Sequence, residues 1–315
     1  MVSKSGVYSI PAVKGNSSES VGSVASAEVL WESFGTDVKP SKSDLVCGAL
    51  YENGRIYFKT SDVYREGNAV IAAKDASGKI LWSWHIWLTD QPQEQEYYNN
   101  AGTMMDRNLG ATSATPGEIG ALGLLYQWGR KDPFLGSSSI SSNTEAKSTI
   151  TRPSKVSSNS SNGTIEYATA NPTTFITYNS SNYDWYYTGS SSTDNTRWQS
   201  EKTIYDPCPA GWRVPDGGSE GIWSKAGFSS TTFDETNRGI SFSISSPSTT
   251  WYPASGYLNI GDGALYFVGG GLYWSVTPYD SYACYLYFNY YGGVYPSSSN
   301  GRAYGFGVRC VQESF

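Results

Sequence analysis

Residues Tyr279–Asn300 read YDSYACYLYFNYYGGVYPSSSN and run directly into GRAYGFGVRCVQ, Gly301–Gln312. Seven of the 22 residues in the first stretch are tyrosine, and Lys, Arg, Glu, Gln, Met, Trp and His are all absent from it. Tyrosine offers large, stiff, amphipathic contact area at low entropy cost, and Ser, Gly and Asn add adaptable hydrogen bonding. That composition suits a binding surface rather than an active site. Alternation in Tyr285-Leu286-Tyr287-Phe288-Asn289 predicts a strand with Leu286 and Phe288 toward a core and Tyr285, Tyr287 and Asn289 outward. A one-residue slip in register would exchange the two sets.

The rest of the chain narrows the function classes. Its 315 residues suffice for two domains and a full core. The net charge is −6 and no Lys/Arg stripe is visible, so nucleic acid is not an expected partner. No run of 18 apolar residues exists to span a membrane. No signal segment is visible at Met1, so a secreted form would have been trimmed of one. Low charge, 15% aromatic residues and 34 glycines imply many turns and short strands. The single histidine, His85, lies in the strand-like LWSWHIWLTD and reads as a surface or packed strand residue. With one histidine, Ser-His-Asp and Cys-His machinery are not expected, and phosphate-loop, nucleophile-elbow and zincin motifs are absent. The four cysteines, Cys47, Cys208, Cys284 and Cys310, lack paired zinc spacing, and the sequence leaves their connectivity open. Cys47 falls on a predicted strand and reads as a buried apolar residue. No catalytic residue, metal or cofactor is expected.

Residues 1–98 are predicted to form a small β-sandwich. ALYENGRIYFKT (Ala49–Thr60) sets Asn53-Gly54 between two β-rich runs, a strong hairpin signal. NAVIAAKDASGKILWSWHIWLTD (Asn68–Asp90) reads as a second hairpin turning at Ala76-Ser77-Gly78. The polar QPQEQEYYNN (Gln91–Asn100) marks either a domain boundary, placed at 98/99, or a long loop. TMMDRNLGA (Thr103–Ala111) then reads as a strand. In GEIGALGLLYQWGR (Gly117–Arg130), Ile119, Leu122, Leu125, Tyr126 and Trp128 fall at near-helical spacing and predict a helix. Gly136–Ser200, rich in Ser, Thr and Asn, reads as a long surface insertion with few core positions, ordered around Tyr183, Trp185 and Tyr186. It would be either a solvated loop or a ligand-contacting flap. DPCPAGWRVPD is turn-rich. GSEGIWSKAGF predicts a short helix with Ser219 as N-cap, and strand-like segments follow to the end.

MDRNLGA (Met105–Ala111), LLYQWGRKDPF (Leu124–Phe134), DPCPAGWRVP (Asp206–Pro215), YWSVTP (Tyr273–Pro278) and GFGVRCV (Gly305–Val311) occur in that order. Together they resemble the Fibrobacter succinogenes major paralogous domain, common in Bacteroidetes surface proteins and similar to a variant of the C-type lectin fold. The resemblance covers roughly residues 102–315. GNAVIAAKDASGKILWSWHIWLTD resembles the immunoglobulin-like β-domain preceding such modules in fimbrillin-type (type V) pilus tip proteins. The tyrosine tract resembles the variable region of a diversity-generating retroelement protein. There, template AAY codons become NNY codons, which cannot encode Lys, Glu, Gln, Met or Trp; the alternative is a fixed aromatic face.

These resemblances imply a mainly β chain: a β-sandwich over 1–98, then an α+β, C-type lectin-like domain over 99–315 with a variable region at about 271–307. They place Thr103–Asn108 beside Phe306–Val311. They imply a Cys208–Cys310 disulfide, since both cysteines lie in matched motifs, against two buried free thiols. Cys284 would be an accidental product of a randomised codon. The implied function is that of an adhesin at a pilus tip on the bacterial surface. Its ligand is an unknown protein or glycan on a host or microbial surface, contacted by Tyr273, Tyr279, Asp280, Ser281, Tyr282, Tyr285, Tyr287, Asn289, Tyr290, Tyr291, Tyr295, Ser297, Ser298, Asn300 and Tyr304. Three other readings stand beside it. A calcium-dependent lectin would need Glu-Pro-Asn or Gln-Pro-Asp with Trp-Asn-Asp, which this chain lacks, and Asp262 and Asp280 form no recognisable cage. An enzyme of the formylglycine-generating type would need a cysteine context that Cys284 and Cys310 do not resemble. A structural pilus subunit would use its tyrosines against a neighbour and accept that neighbour's β-strand in the N-terminal domain.

Overall fold

The computed structural model describes residues 1–151 and 154–313 and is mainly β. Six strands build the N-terminal part: β1 (Val7–Pro11), β2 (Ser26–Ser33), β3 (Val46–Glu52), β4 (Arg55–Thr60), β5 (Gly67–Lys74) and β6 (Ile80–Leu88). They form two antiparallel sheets, β1-β4-β3 and β2-β5-β6. Asn53 and Gly54 sit at φ 49° and 77°, the left-handed pair a tight hairpin needs to match strand twist. Ile56 and Phe58 from one sheet meet Ala69, Ile71, Trp82 and Ile86 from the other in one apolar cluster, so the two sheets form a sandwich. Cys47 corrects the sequence reading: it is exposed. A register shift between Val46 and Gly48, on the outer edge of the sheet, takes it out of the buried alternation.

The chain then enters β7 (Glu94–Tyr97), which pairs with β8 (Gly102–Met105) across the expected 98/99 boundary. The predicted helix over 117–130 does not form. One 3-10 turn at Ile119–Ala121 is followed by β9 (Leu125–Gln127). Gly117, Gly123 and Gly129 all have φ between 75° and 82°, a region closed to a continuing right-handed helix. At Gly123 a Cβ would lie 2.9 Å from both Asn108 Cβ and Leu109 O, so the chain there also needs the space.

The Ser-rich insertion is more ordered than its composition suggests. It carries β10 (Lys155–Ser157), paired in parallel with β11 (Phe175–Thr177), and α1 (Ile165–Ala170), capped by the Thr164 side chain. It also buries Trp185, Trp198, Arg197 and Asp184, each at most 1% exposed. Next come β12 (Trp212–Arg213) and the single-turn α2 (Ile222–Lys225), whose N-cap is Gly221 rather than Ser219. The hairpins β13 (Gly239–Ser245)–β14 (Ser248–Pro253) and β15 (Tyr257–Leu258)–β16 (Leu265–Tyr266) follow. The chain closes with β17 (Gly271–Tyr279), β18 (Tyr282–Phe288), β19 (Val294–Gly301), β20 (Gly305–Gly307) and β21 (Val311–Gln312).

The first and last segments of this second part lie side by side. Val311 pairs with Met104, Met105 N donates to Cys310 O, and Leu109 N donates to Val308 O. Cys208 and Cys310 are disulfide-bonded across 102 residues, tying the turn-rich segment before β12 to the strand end. One core cluster runs through both parts of the chain. It joins Trp31, Val70 and Trp87 of the sandwich to Met105, Tyr126, Trp128, Trp198, Trp274 and Phe306. Asn68 Nδ2 donates to Gly110 O, Trp87 Nε1 to Ala111 O and Lys147 N to Thr36 O across the same junction.

Candidate binding face

Strands β17, β18 and β19 form an antiparallel meander at one side of the largest sheet, ordered β16-β15-β20-β17-β18-β19. Its turns are built from the tract itself. Asp280, at φ 50°, makes the β17–β18 turn with Ser281. Asn289 Oδ1 accepts from Tyr291 N and Gly293 N, and so shapes the β18–β19 loop. Period-two geometry then sorts the side chains. Tyr273, Leu286 and Phe288 enter a second core with Phe228, Phe242 and Tyr252. Leu272, Tyr287 and Tyr295 form one cross-strand row on the opposite face, and Trp274, Tyr285 and Ser298 form the next.

Two of the predicted contact residues belong to the interior. Tyr273 is fully buried; its hydroxyl donates to Pro253 O and accepts from Asn108 Nδ2. Tyr285 is on the expected face but is only 7% exposed, because Phe306 and Trp274 pack on it at centroid distances of 4.9 and 5.8 Å. Burial pushes both phenols up to about 12. The remaining tyrosines do form a surface. Tyr279, Tyr290, Tyr291 and Tyr295 are exposed, Tyr291 at 81%. The Tyr290 and Tyr291 hydroxyls meet at 2.7 Å, and the Tyr287 and Tyr295 rings stack at 5.5 Å. Ser297 is exposed, while Tyr282, Ser281, Asn289, Ser298, Asn300 and Tyr304 are half-buried.

Beside the Tyr287–Tyr295 stack lies a hollow of about 310 Å³, lined by Tyr257, Phe267, Leu272, Tyr285, Tyr287, Asn300, Tyr304 and Phe306. None of these side chains is charged. A hollow of similar size, about 320 Å³, lies across the β15–β16 hairpin, and its lining includes Glu145, Lys155 and Asp262.

Several aromatic residues on this face escape a reading confined to the tract. Tyr257 and Phe267 line the neutral hollow, and exposed Tyr266 stacks on Tyr257 at 6.3 Å. Tyr178 and Tyr183 of the insertion stack at 5.7 Å, and Tyr183 meets Tyr282 edge-on. The Tyr-Leu and Leu-Tyr pairs flanking NIGDGA are a period-two signal that could have placed the first group. The insertion offers no comparable signal.

Arg302 holds the face to the insertion. Its guanidinium donates to Tyr282 O from both Nε and Nη2, to Asn195 Oδ1 at 2.6 Å and to Asp194 O at 3.0 Å, and it lies 4.2 Å over the Trp128 ring. Burial draws it down to about 10. Arg197, paired with buried Asp184, fixes the other side of the same insertion segment. Cys284 is a buried free thiol raised by its burial, set beneath the face rather than on it. Among the described residues no three His, Cys, Asp or Glu side chains gather to hold a metal ion, and no helix is long and apolar enough to cross a membrane. Comparison with family models, curated proteins and solved structures returned no match.

Proposed function

We propose that this chain is a ligand-binding adhesin module of a bacterial surface, at a pilus tip, displaying a retroelement-diversified tyrosine face on a fixed scaffold. The supporting observation is the division of labour along the β17–β18–β19 meander and its β18–β19 loop. Leu286 and Phe288 complete a core, while Tyr279, Tyr287, Tyr290, Tyr291 and Tyr295 stand outside both main cores or at their margin. Residues placed so can change without unmaking the fold, and aromatic residues of this kind are the usual energetic centres of protein and glycan contacts. The missing residue types of the tract fit NNY randomisation. The outer edge of β3, with exposed Gly48 and Leu50, suits a strand donated by a neighbouring subunit.

Two measurements test this reading. Beads coated with the full chain should adhere to host or microbial cells, and the Tyr287→Ala/Tyr291→Ala double variant should lose adhesion while keeping its melting temperature. Undiminished adhesion by that variant refutes the face. Sequencing around the gene should find a near-copy of its 3′ segment, differing at adenines, beside a reverse transcriptase gene. Its absence leaves an adhesin of fixed specificity.

A further inference from the structure

We propose that the neutral hollow beside Tyr287 is a subsite for one uncharged pyranose ring. This deepens the binding-face reading and rests on it.

The hollow combines two kinds of surface. Leu272, Phe267 and Phe306 supply an apolar lining, with Trp274 stacked behind Phe306 at 4.1 Å. Tyr257, Tyr285, Tyr287, Tyr304 and Asn300 add four phenol hydroxyls and one carboxamide, each able to donate and to accept. A pyranose presents the same combination, with an apolar C–H face and a rim of hydroxyls. The Tyr285 phenol is paired with Asn300 and the Tyr257 phenol with Asn259, but an aliphatic or aromatic side chain seated there would cover the Tyr287 and Tyr304 hydroxyls without pairing them, at about 1–3 kcal/mol for each one buried. The volume of about 310 Å³ falls at the lower end of the range for small-ligand pockets, roughly 300–1,000 Å³.

Charge narrows the class further. The lining holds no Lys or Arg to pair with a carboxylate or sulfate. The nearby carboxylate of Asp262, whose charge acts on the Tyr257 phenol, and the chain's net charge of −6 both disfavour an anion. Acidic sugars are therefore poor occupants. Position also matters. Tyr257 and Phe267, two of the eight lining residues, lie outside the span expected to vary, so that part of the wall is constant whatever the tract becomes. The variable positions 287, 300 and 304 would then tune which neutral ring fits, and in which orientation.

The test uses the intact chain and saturation-transfer NMR. The probes are methyl glucoside, methyl galactoside, methyl mannoside and N-acetylglucosamine at about 10 mM, a range that reports weak, millimolar binding. Sialyllactose serves as the anionic probe and N-acetyltryptophanamide as the apolar one. At least one neutral pyranoside should bind, and Tyr287→Ala should weaken it about tenfold or more. Tyr304→Phe, which keeps the ring and removes only the hydroxyl, should weaken it severalfold, and Val63→Ala on the sandwich should have no effect. Binding by none of the neutral sugars, or a response to sialyllactose or N-acetyltryptophanamide alone, overturns the proposal. A chain that adheres to cells through its tyrosines yet ignores every pyranoside refutes the sugar subsite and leaves the display function standing. Failure of both assays removes both.

Discussion

Replacing Arg302 by methionine tests whether one buried guanidinium fastens the tyrosine face to the insertion. The guanidinium bonds to Tyr282, Asn195 and Asp194, and has a further contact with Thr193 Oγ1 at 3.2 Å. Hydrogen bonds from a charged donor contribute about 1.5–3 kcal/mol each, so three connections suggest a gross loss of roughly 5–9 kcal/mol. Against this, methionine relieves the desolvation of a cation with no direct carboxylate partner, several kcal/mol by itself. It also keeps most of the packing on Trp128. The expected net cost is about 3 kcal/mol, read as a lower urea midpoint for the full chain. Arg302→Lys should cost at least as much, because a lysine retains the buried charge without the planar fork that reaches three acceptors at once. Hydrogen exchange should also accelerate at the amides of residues 193–195 and 280–283. Wild-type stability in the lysine variant would refute the reasoning, since charge alone would then suffice. A methionine variant with unchanged exchange at those amides would refute the clamp.

Three further outcomes follow from the same geometry. Leu286→Ala should cost about 2–5 kcal/mol, whereas Tyr291→Ala should stay within about 0.5 kcal/mol; equal effects in a denaturation series would mean the two faces of β18 are misassigned. Replacing Cys208 and Cys310 together by serine opens a 102-residue loop and should cost about 4–5 kcal/mol by chain entropy, a loss that reduction of the wild type should reproduce. Alkali should destabilise the fold: free phenols ionise near 10, while Tyr273 and Tyr285 stay protonated to about 12. The unfolded chain thus releases protons first, and stability falls between about pH 10 and 12 by roughly 2–3 kcal/mol for each group. Urea midpoints at about pH 9 and 11 should differ, and Tyr285→Phe should shrink the difference.

Local signals in the sequence were good guides where a short segment decides its own conformation. Asn53-Gly54 specifies a hairpin through backbone preference alone, and alternation in β18 correctly separates Leu286 and Phe288 from Tyr287. The same alternation misplaces Tyr285, because it assigns a side of the sheet and not what covers that side. The cover comes from Phe306, on β20, which pairs with β17 rather than with β18. The 117–130 segment misleads in the opposite way: its apolar spacing imitates a helix, while glycines at positive φ force a turn and a short strand. In the insertion, order is held less by regular strands than by side-chain bonds to backbone. Asn179 Nδ2 donates to Asp184 O, Ser158 Oγ to Trp185 O and Trp185 Nε1 to Trp128 O. Such bonds leave no periodic trace in the residues that make them. The tract's exposed rim could be read from composition, but the hollow could not, since Tyr257 and Phe267 of its lining come from the segment around the β15–β16 hairpin.

The core cluster shared by the sandwich and the second part has a mechanical consequence. Trp31, Val70 and Trp87 are packed among residues of both parts, and backbone and indole hydrogen bonds cross the junction. The junction therefore has no hinge to absorb rotation. If the face binds as proposed, a tug on the tyrosines would reach the sandwich as strain in a stiff lever, and tension would load the bound ligand at once instead of first swinging a domain into line. Such a molecule would report the direction of a pull as well as its strength, because a lever that cannot pivot holds its grip best along one axis.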